Sequence, residues 1–207
     1  MVVIVDDFAP DPQALRAYAA ASEFSPAGDH YPGLRAALPQ TYLGQVSDTL
    51  AIVFKEAFGA RERVRVLDAR FAIVTGSAAA LTLVQRLPHV DATAPGRLAM
   101  VHYLAADDLG GTAFYRHRST GFETINDGRS AAYFAALERE AALHPPQGYI
   151  AGDTPLFERI DAVAARFNRA VFYRSHLLHS GAVPSDAILP ADPLAGRLTI
   201  TGFFAAD

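Results

Sequence analysis

The chain has 207 residues, of which 51% are hydrophobic and 19% charged, so its composition is that of a globular protein with a substantial core. The formal net charge is -4, and no basic cluster or interleaved aromatic stripe is present, which argues against nucleic acid as a partner. There are no cysteines, which excludes disulfides, thiolate zinc sites and iron–sulfur clusters, so any metal must be held by imidazole and carboxylate groups.

The amino-terminal part of the chain combines a short strand, two helices and a loop. Residues 2–5 are β-branched and predict a strand, whereas residues 11–23 are rich in alanine with apolar residues at helical spacing. Residues 24–40 contain three prolines and two glycines, which indicates an irregular loop. Residues 41–58 carry an apolar stripe that predicts a second helix, with Gly59 as its C-cap.

From residue 64 onward the apolar pattern predicts strands. The predicted strands are residues 64–74, 81–87, 97–105, 112–118, 170–175 and 197–204. The separator at residues 107–111, Asp-Asp-Leu-Gly-Gly, is a hairpin signal, because glycine adopts the positive φ angles of tight turns. So many consecutive strands argue against a doubly wound α/β fold and favour a mainly β protein with flanking helices.

Residues 124–168 interrupt the strands. Two stretches within them, 131–143 and 155–167, show helical spacing and are separated by the breaker at residues 144–148. The pattern predicts a largely helical insertion in a β domain rather than a second folding unit.

One histidine–x–aspartate pair and one later histidine offer the ligands of a metal site. His89 and Asp91 are two residues apart, so on a strand both side chains point to the same side. His179 follows much later, where a predicted strand gives way to Ser-Gly. Two imidazoles and one carboxylate are the ligand set of non-haem Fe(II) oxygenases, and they leave positions open for a co-substrate and dioxygen. His176 is an alternative distal ligand, although its odd offset places it on the opposite face of an extended segment.

The last predicted strand adds a candidate anion site. Arg197, Thr199 and Thr201 share one face of this strand by the alternation of side chains. A buried arginine needs an anionic partner, and its planar guanidinium matches a carboxylate by paired hydrogen bonds. Thr199 would add a hydroxyl donor beside it.

Five other residues have a structural and a functional interpretation. His30 and Tyr31 are interpreted as loop residues that pack on the edge of the core, and His102 as a satisfied buried histidine. Tyr115 and His117 share one face of a predicted strand and could contact a substrate.

In this order, His89-x-Asp91, His179-Ser-Gly and Arg197-x-Thr199 resemble the Fe(II)/2-oxoglutarate-dependent dioxygenases, whose core is a double-stranded β-helix, or jelly roll. The opening Val-Asp-Asp-Phe-x-Pro and the Gly-Gly-Thr-x-Phe turn at residues 110–114 are similar to the prolyl-4-hydroxylase-like branch. More closely, the chain resembles an uncharacterised bacterial family of the DUF6445 type over nearly its whole length. The resemblance implies one double-stranded β-helix domain over residues 1–207, with N-terminal helices and a helical lid insertion at about 124–168.

The resemblance also implies roles for individual residues. Three residues would ligate iron: His89, Asp91 and His179. Arg197, assisted by Thr199, would pair with the distal carboxylate of 2-oxoglutarate. Tyr103 lies on the strand after the metal pair, where this branch often has a tyrosine bonded to the same carboxylate. Prolyl hydroxylases proper usually have lysine in place of Arg197, which weakens the inference of a protein-prolyl substrate.

The expected activity is that of an oxidoreductase. With Fe(II), 2-oxoglutarate and O2, it would hydroxylate or desaturate a C–H bond of a small molecule, amino acid or peptide, and release succinate and CO2. Because Asp91 keeps a carboxylate at the ligand position, the resemblance implies hydroxylation or desaturation rather than halogenation. Two alternatives remain open: a catalytically inactive jelly-roll protein that binds metal or ligand, and a cupin-like metal hydrolase or isomerase.

Location and partners follow from what the sequence lacks. It has no run of about eighteen uninterrupted apolar residues and no basic amino-terminal region or cleavage site of a signal peptide. A soluble cytoplasmic protein is therefore expected, without membrane or nucleic acid partners. The expected partner is its small-molecule, amino-acid or peptide substrate, and a homodimer is compatible with the sequence.

Overall fold

Two antiparallel β-sheets face each other in the computed structural model, which describes residues 1–28, 30–61, 64–106 and 109–206. The strands of the described residues are β1 (Val2–Val5), β2 (Ser25–Pro26), β3 (Gly33–Ala37), β4 (Arg65–Val74), β5 (Arg97–Tyr103), β6 (Thr112–His117), β7 (Phe157–Val163), β8 (Ala170–Arg174), β9 (His179–Gly181) and β10 (Arg197–Ala205). The larger sheet has the order β1-β8-β5-β10-β4-β3-β2, and the smaller sheet has the order β7-β6-β9. This mainly β architecture with flanking helices is the predicted fold class.

The helices cover the outer sides of the sheets. They are α1 (Pro12–Ala20), α2 (Tyr42–Gln45), α3 (Ser47–Ile52) and α4 (Asp127–Leu143). Helix α1 begins as predicted, because Pro12 occupies its first turn and the Asp11 side chain accepts a hydrogen bond from the Ala14 amide at 2.9 Å. The predicted helix at 41–58 forms as α2, α3 and a π-helical turn, after which Gly59 has a φ of 72°.

The alternation of side chains along β10 separates the core from the space between the sheets. Leu198, Ile200 and Phe204 belong to the core that the large sheet shares with α1, α2 and α3. Arg197 and Thr199 point the other way and line a cavity between the sheets. Helix α4 packs on the outer face of the small sheet, where the buried side chains include Tyr115, Tyr133, Leu137, Ala141 and Phe157. None of the helices in the described part of the chain is long and apolar enough to cross a membrane.

The predicted helix at residues 155–167 is wrong, because this segment forms β7. Its whole length pairs antiparallel with β6, and Arg116 of β6 donates a hydrogen bond to Glu158 at 2.9 Å. Cross-strand pairing on a half-buried surface overrides a local helical pattern. The helical part of the predicted insertion is therefore α4 alone.

Three further expectations are corrected by the sheet topology. The apolar run at 81–87 is not a strand: it contains a 3₁₀ turn at Val84–Arg86, and no strand of the described residues pairs with it. The separator at 107–111 does not close a hairpin, because β5 and β6 belong to different sheets. Gly110 nevertheless has a φ of 87°, while residues 107 and 108 lie outside the described residues. The predicted loop at 24–40 contains β2 and β3, which extend the edge of the large sheet.

Candidate metal centre

His89 and His179 are fixed opposite each other by their backbones. The His89 amide donates to the His179 carbonyl at 2.9 Å, and the His179 amide donates to the His89 carbonyl at 3.0 Å. Residues paired in this way across an antiparallel bridge project their side chains to the same side. The Asp91 amide continues the contact by donating to the Ser175 carbonyl at 2.9 Å. The segment around His89 therefore pairs with β9 through an isolated antiparallel bridge.

The three side chains converge on one point. His89 Nε2 lies 3.7 Å from Asp91 Oδ1, and His179 Nε2 lies 3.5 Å from Asp91 Oδ2. One ligand atom from each residue lies within 4.8 Å of the other two, and this is the only such group of three among the described residues. Ligands about 2.1 Å from a common ion and at right angles would be about 3 Å apart, so the spacing fits a metal after small adjustments. His179, and not His176, belongs to this group of three.

The environment keeps His179 ready to bind a cation. Its Nδ1 lies 2.9 Å from the Leu177 carbonyl oxygen, which can only accept, so Nδ1 carries the proton and Nε2 presents its lone pair to the site. Burial lowers the pKa of His179 to about 4. The imidazole is therefore neutral near pH 7, as a metal ligand must be.

His89 and Asp91 differ in exposure. Burial raises the pKa of Asp91 to about 6, while His89 and Arg35 act in the opposite direction. Burial and the neighbouring His179 ring also lower the pKa of His89. The His89 side chain is 54% exposed, however, so water screens these effects at the rim of the site. Asp91, at 14% exposed, is the carboxylate that a bound cation would keep ionised.

Arg197 is buried in the same cavity as the triad. Its Nε donates to the carbonyls of Leu109 at 3.1 Å and Gly110 at 3.2 Å, and its Nη2 donates to the Gly111 carbonyl at 2.9 Å. Within residues 1–28, 30–61, 64–106 and 109–206, no carboxylate lies within 4.0 Å of the guanidinium. Because a buried cation is costly without a counter-ion, Arg197 would stabilise an anionic ligand bound at this end of the cavity.

The other two predicted co-substrate residues are placed differently. Thr199 lines the cavity, and its hydroxyl donates to the Ala72 carbonyl at 3.3 Å. Tyr103 is paired with Thr199 across β5 and β10, but its ring lies in the core between the sheets, and its hydroxyl lies 2.7 Å from Thr112 Oγ1. Tyr103 is not among the lining residues of the cavity, but its hydroxyl contacts Thr112, which is one of them.

The remaining candidates lie away from the cavity. The Tyr115 hydroxyl donates to the Ile150 carbonyl at 3.1 Å, and His117 Nε2 lies 3.3 Å from a Glu140 oxygen, so both face α4 rather than a substrate. His102 is a satisfied buried histidine, as predicted. Its two ring nitrogens lie 3.1 Å from the Tyr42 hydroxyl and 3.0 Å from Asn168 Oδ1.

Several cavity residues were not predicted as site residues, and four of them carry polar side chains that bear on the chemistry of the cavity. His30, Tyr31, Arg35 and Tyr149 line the cavity of about 470 Å³ together with the triad. The Tyr31 hydroxyl is buried without a hydrogen-bond partner. Burial raises the pKa of Tyr31 to about 12, against the opposing effects of Arg197 and Arg35. His30 and Tyr31 lie in the irregular segment before β3, where no regular face exists until the sheet forms, so a periodicity argument does not find them.

Comparison with known proteins supports the fold. No curated protein matches the chain. Among solved structures, HygX from Streptomyces hygroscopicus, with nickel and 2-oxoglutarate bound, has a TM-score of 0.55 at 10% identity, over 99% of this chain and 82% of HygX. The non-heme alpha-ketoglutarate-dependent carbocyclase SnoK from nogalamycin biosynthesis has a TM-score of 0.49 at 15% identity, over 99% and 79%. AviO1 from Streptomyces viridochromogenes has a TM-score of 0.48 at 14% identity, over 99% and 89%.

At these identities the likeness shows the fold alone, and the match to HygX confirms the predicted jelly-roll class. The family model that matches covers residues 1–204 and describes a family of unknown function. This match confirms the predicted family resemblance over nearly the whole chain. The chain belongs to the DUF6445 family.

Proposed function

We propose that this protein is an Fe(II)- and 2-oxoglutarate-dependent oxygenase. It would hydroxylate or desaturate a C–H bond of a small molecule, amino acid or peptide, with release of succinate and CO2. The observation that carries the proposal is the presence, in one cavity, of the triad His89, Asp91 and His179 together with buried Arg197. A metal alone would explain the triad but not the arginine. A metal and a dicarboxylate co-substrate together explain both.

The donor set fits the metal. Two neutral imidazoles and one carboxylate suit Fe(II) and leave adjacent positions open for further ligands. When bound, Fe(II) with 2-oxoglutarate and O2 supplies the oxidising power for attack on an unactivated C–H bond. The chain's own task is to hold these groups in place, to shield them from water and to orient the substrate.

Arg197 is oriented before the co-substrate arrives. Three backbone carbonyls fix Nε and Nη2, so little side-chain freedom is lost when an anion binds. Gly181 lies beside it, and a Cβ at this glycine would be 3.6 Å from Nη2. We assign the distal carboxylate of 2-oxoglutarate to Arg197, with Thr199 as its neighbour on the same strand face.

Walls close to the triad would limit access of water. Val74, Val101 and Phe203 provide apolar surface in the cavity, and Tyr149 contributes from the segment after α4. The Tyr149 hydroxyl donates to the Gly76 carbonyl at 2.7 Å, which fixes it across the cavity. In the predicted lid region, residues 124–168, this later segment rather than α4 would shape the substrate pocket.

The test measures binding and turnover separately. Under anaerobic conditions, wild-type protein with Fe(II) and 2-oxoglutarate should develop the visible charge-transfer band of the chelate, and after O2 is admitted it should form succinate. Arg197→Gln should weaken 2-oxoglutarate binding by about 10- to 100-fold, the value of a lost charged hydrogen bond, with Fe(II) binding retained. Arg166→Gln is the matched control, since Arg166 is 68% exposed and pairs with Asp6 on the surface.

Three results would contradict the proposal. Absence of the absorption band in wild-type protein would remove 2-oxoglutarate from the function, and an Arg197→Gln variant with normal affinity would leave a metal hydrolase or isomerase as the better interpretation. Formation of the band without succinate would indicate an inactive metal- and ligand-binding protein.

A further inference from the structure

A second arginine faces the same cavity and is used by neither the triad nor the proposed co-substrate site. Arg35 lies on β3 in register with Ala72 of β4, which is itself in register with Thr199 of β10. Neighbouring strands are about 4.8 Å apart, so the Cα atoms of Arg35 and Thr199 are roughly 10 Å apart, and the two side chains lie on the same face of the sheet. Arg35 is therefore two strands away from the strand that carries Arg197. We infer that the two arginines serve different parts of the cavity.

The hydrogen-bonding capacity of Arg35 is largely unused. Its Nε is buried and has no hydrogen-bond partner, and its side chain is 27% exposed. The Asp68 carboxylate lies 4.0 Å from Nη1 and already accepts a 2.9 Å hydrogen bond from Arg70. The guanidinium lies 5.0 Å from the centre of the Tyr31 ring, which supports its plane but supplies no acceptor. A buried donor without a partner costs free energy that a bound ligand could recover.

Two more buried polar atoms in this cavity are also without partners. They are the hydroxyl oxygens of Tyr31 and Thr201, and both side chains line the cavity together with Arg35. Unsatisfied buried groups are rare in folded proteins, so three in one cavity indicate a surface that is complete only with a polar ligand.

The charge of the cavity indicates the sign of that ligand. Among the described residues, Asp91 is the only carboxylate that lines it, whereas two arginines do. A divalent metal, the two arginines and Asp91 sum to three positive charges when only these described lining groups are counted. The two carboxylates of 2-oxoglutarate offset two of these positive charges. The remaining positive charge is that of Arg35, which a further anionic group would offset.

We propose that the substrate carries a carboxylate or similar anionic group, which Arg35 binds while Arg197 holds the co-substrate. This inference rests on the proposed function. The Tyr31 ring packs against the guanidinium, Thr201 lines the same cavity, and both offer a hydroxyl donor. A cavity of about 470 Å³ that also admits 2-oxoglutarate suits a small molecule or the terminal residue of a peptide.

The test uses anions and their uncharged counterparts as probes. Protein loaded with diamagnetic Zn(II) and saturating 2-oxoglutarate is titrated with 4-fluorobenzoate and with 4-fluorobenzamide, and binding is followed by fluorine NMR of the probe. Trifluoroacetate and trifluoroacetamide serve as a smaller pair. The carboxylates should bind more tightly than the amides, and Arg35→Gln should weaken carboxylate binding by about 10-fold or more without changing amide binding. Arg35→Lys, which keeps the charge but loses Nε, should restore part of the affinity.

Controls separate this inference from the proposed function. Arg166→Gln removes an exposed arginine and should bind the probes as wild-type protein does. Equal binding of acids and amides to wild-type protein, or normal carboxylate binding by Arg35→Gln, would overturn the proposal. If 2-oxoglutarate itself fails to bind, the proposed function fails. The same titration of Arg197→Gln protein without 2-oxoglutarate would then still show whether Arg35 is an anion site.

Discussion

Asp91 is the residue on which the charge of the candidate metal centre depends. His179 is oriented by the Leu177 carbonyl, and His89 is fixed by its backbone bridge, but both contribute neutral groups. Without the Asp91 carboxylate, the cavity would present Arg35 and Arg197 to an incoming cation with no negative charge among the described lining residues. The two imidazoles alone would then bind a divalent metal against a positive local potential.

We expect Asp91→Ala to lower the affinity for Ni(II), a stable substitute for Fe(II), by about 100-fold or more, because even indirect supports of a metal ligand are worth about 10- to 100-fold. His176→Ala is the matched control, since this side chain lies outside the triad, and it should change the affinity by less than about 2-fold. Isothermal titration calorimetry gives both values. Wild-type affinity in Asp91→Ala would refute the ligand set, and a large loss in His176→Ala would make His176 the distal ligand.

Individual site residues could be predicted from the sequence where their type and their order along the chain indicated a metal site. The order of residue types predicted that His89, Asp91 and His179 share one site, and one ligand atom of each lies within 4.8 Å of the other two. Tyr31 could not be predicted in the same way. Its contact with the cavity depends on how β3 joins the edge of the large sheet, and no local pattern records this long-range pairing.

Backbone carbonyls in the connection between β5 and β6 position the Arg197 side chain. The Gly111 carbonyl accepts hydrogen bonds from Arg197 Nη2 and from the Ala182 amide, which ties the start of β6 to both β9 and β10. A Cβ on Gly111 would lie 1.8 Å from the Val163 carbonyl oxygen, well inside contact distance. Only glycine lets this segment approach β7 closely enough to place the carbonyl beside Arg197.

We expect Gly111→Ala to destabilise the fold by about 1–3 kcal/mol, as other overpacking substitutions do, and to weaken 2-oxoglutarate binding because the Arg197 contacts shift. Gly152→Ala is the matched control, since a Cβ there meets nothing within 4 Å and φ is not positive. Urea denaturation and a 2-oxoglutarate titration measure the two effects. A Gly111→Ala variant as stable as Gly152→Ala would show that the close approach to β7 is unnecessary.

Elements with a clear local signal could be predicted, and those defined by a distant partner could not. The segment of helix α1 has apolar residues at helical spacing, and Arg197, Thr199 and Thr201 alternate with apolar residues in β10, so the sequence predicts both elements. Strand β7 has apolar residues at spacing that also fits a helix, and only its pairing with β6 decides between the two. The Gly-Gly turn at 110–111 predicted the backbone angle of Gly110 but not the sheet to which the chain crosses.

On the scale of the whole molecule, the helical layer is joined to the large sheet partly by one buried polar cluster. His102 of β5 lies between the Tyr42 hydroxyl of α2 and the Asn168 side chain. The Ala9 amide donates a hydrogen bond to Asn168 Oδ1 at 2.9 Å. The Asn168 side chain also donates to the Ala9 carbonyl at 3.0 Å. This cluster connects the segment after β1, the helices and the sheet, so its protonation state affects the stability of the whole fold.

Burial lowers the pKa of His102 to about 4, while the Asn168 hydrogen bond acts in the opposite direction. In the unfolded chain His102 takes up its proton near its ordinary pKa of about 6.5, so between these values the unfolded state binds more protons than the folded state. The stability due to neutral His102 is therefore fully present above about pH 6.5 and is lost as the pH falls towards 4, by about 3 kcal/mol in total.

We expect His102→Gln to lower the free energy of unfolding near pH 7.5, because a buried hydrogen-bonded ring is lost, but to flatten its decline on acidification. Urea denaturation of the metal-free protein at about pH 7.5, 6.0 and 4.5 measures both effects. His176→Gln is the control, since that histidine is outside the cluster and its removal should leave most of the pH dependence. His179 keeps its own depressed pKa in both variants, so the curve of His102→Gln should remain sloped, only less steeply. If its slope matched that of wild-type protein, the buried cluster around His102 would not be a source of the acid sensitivity.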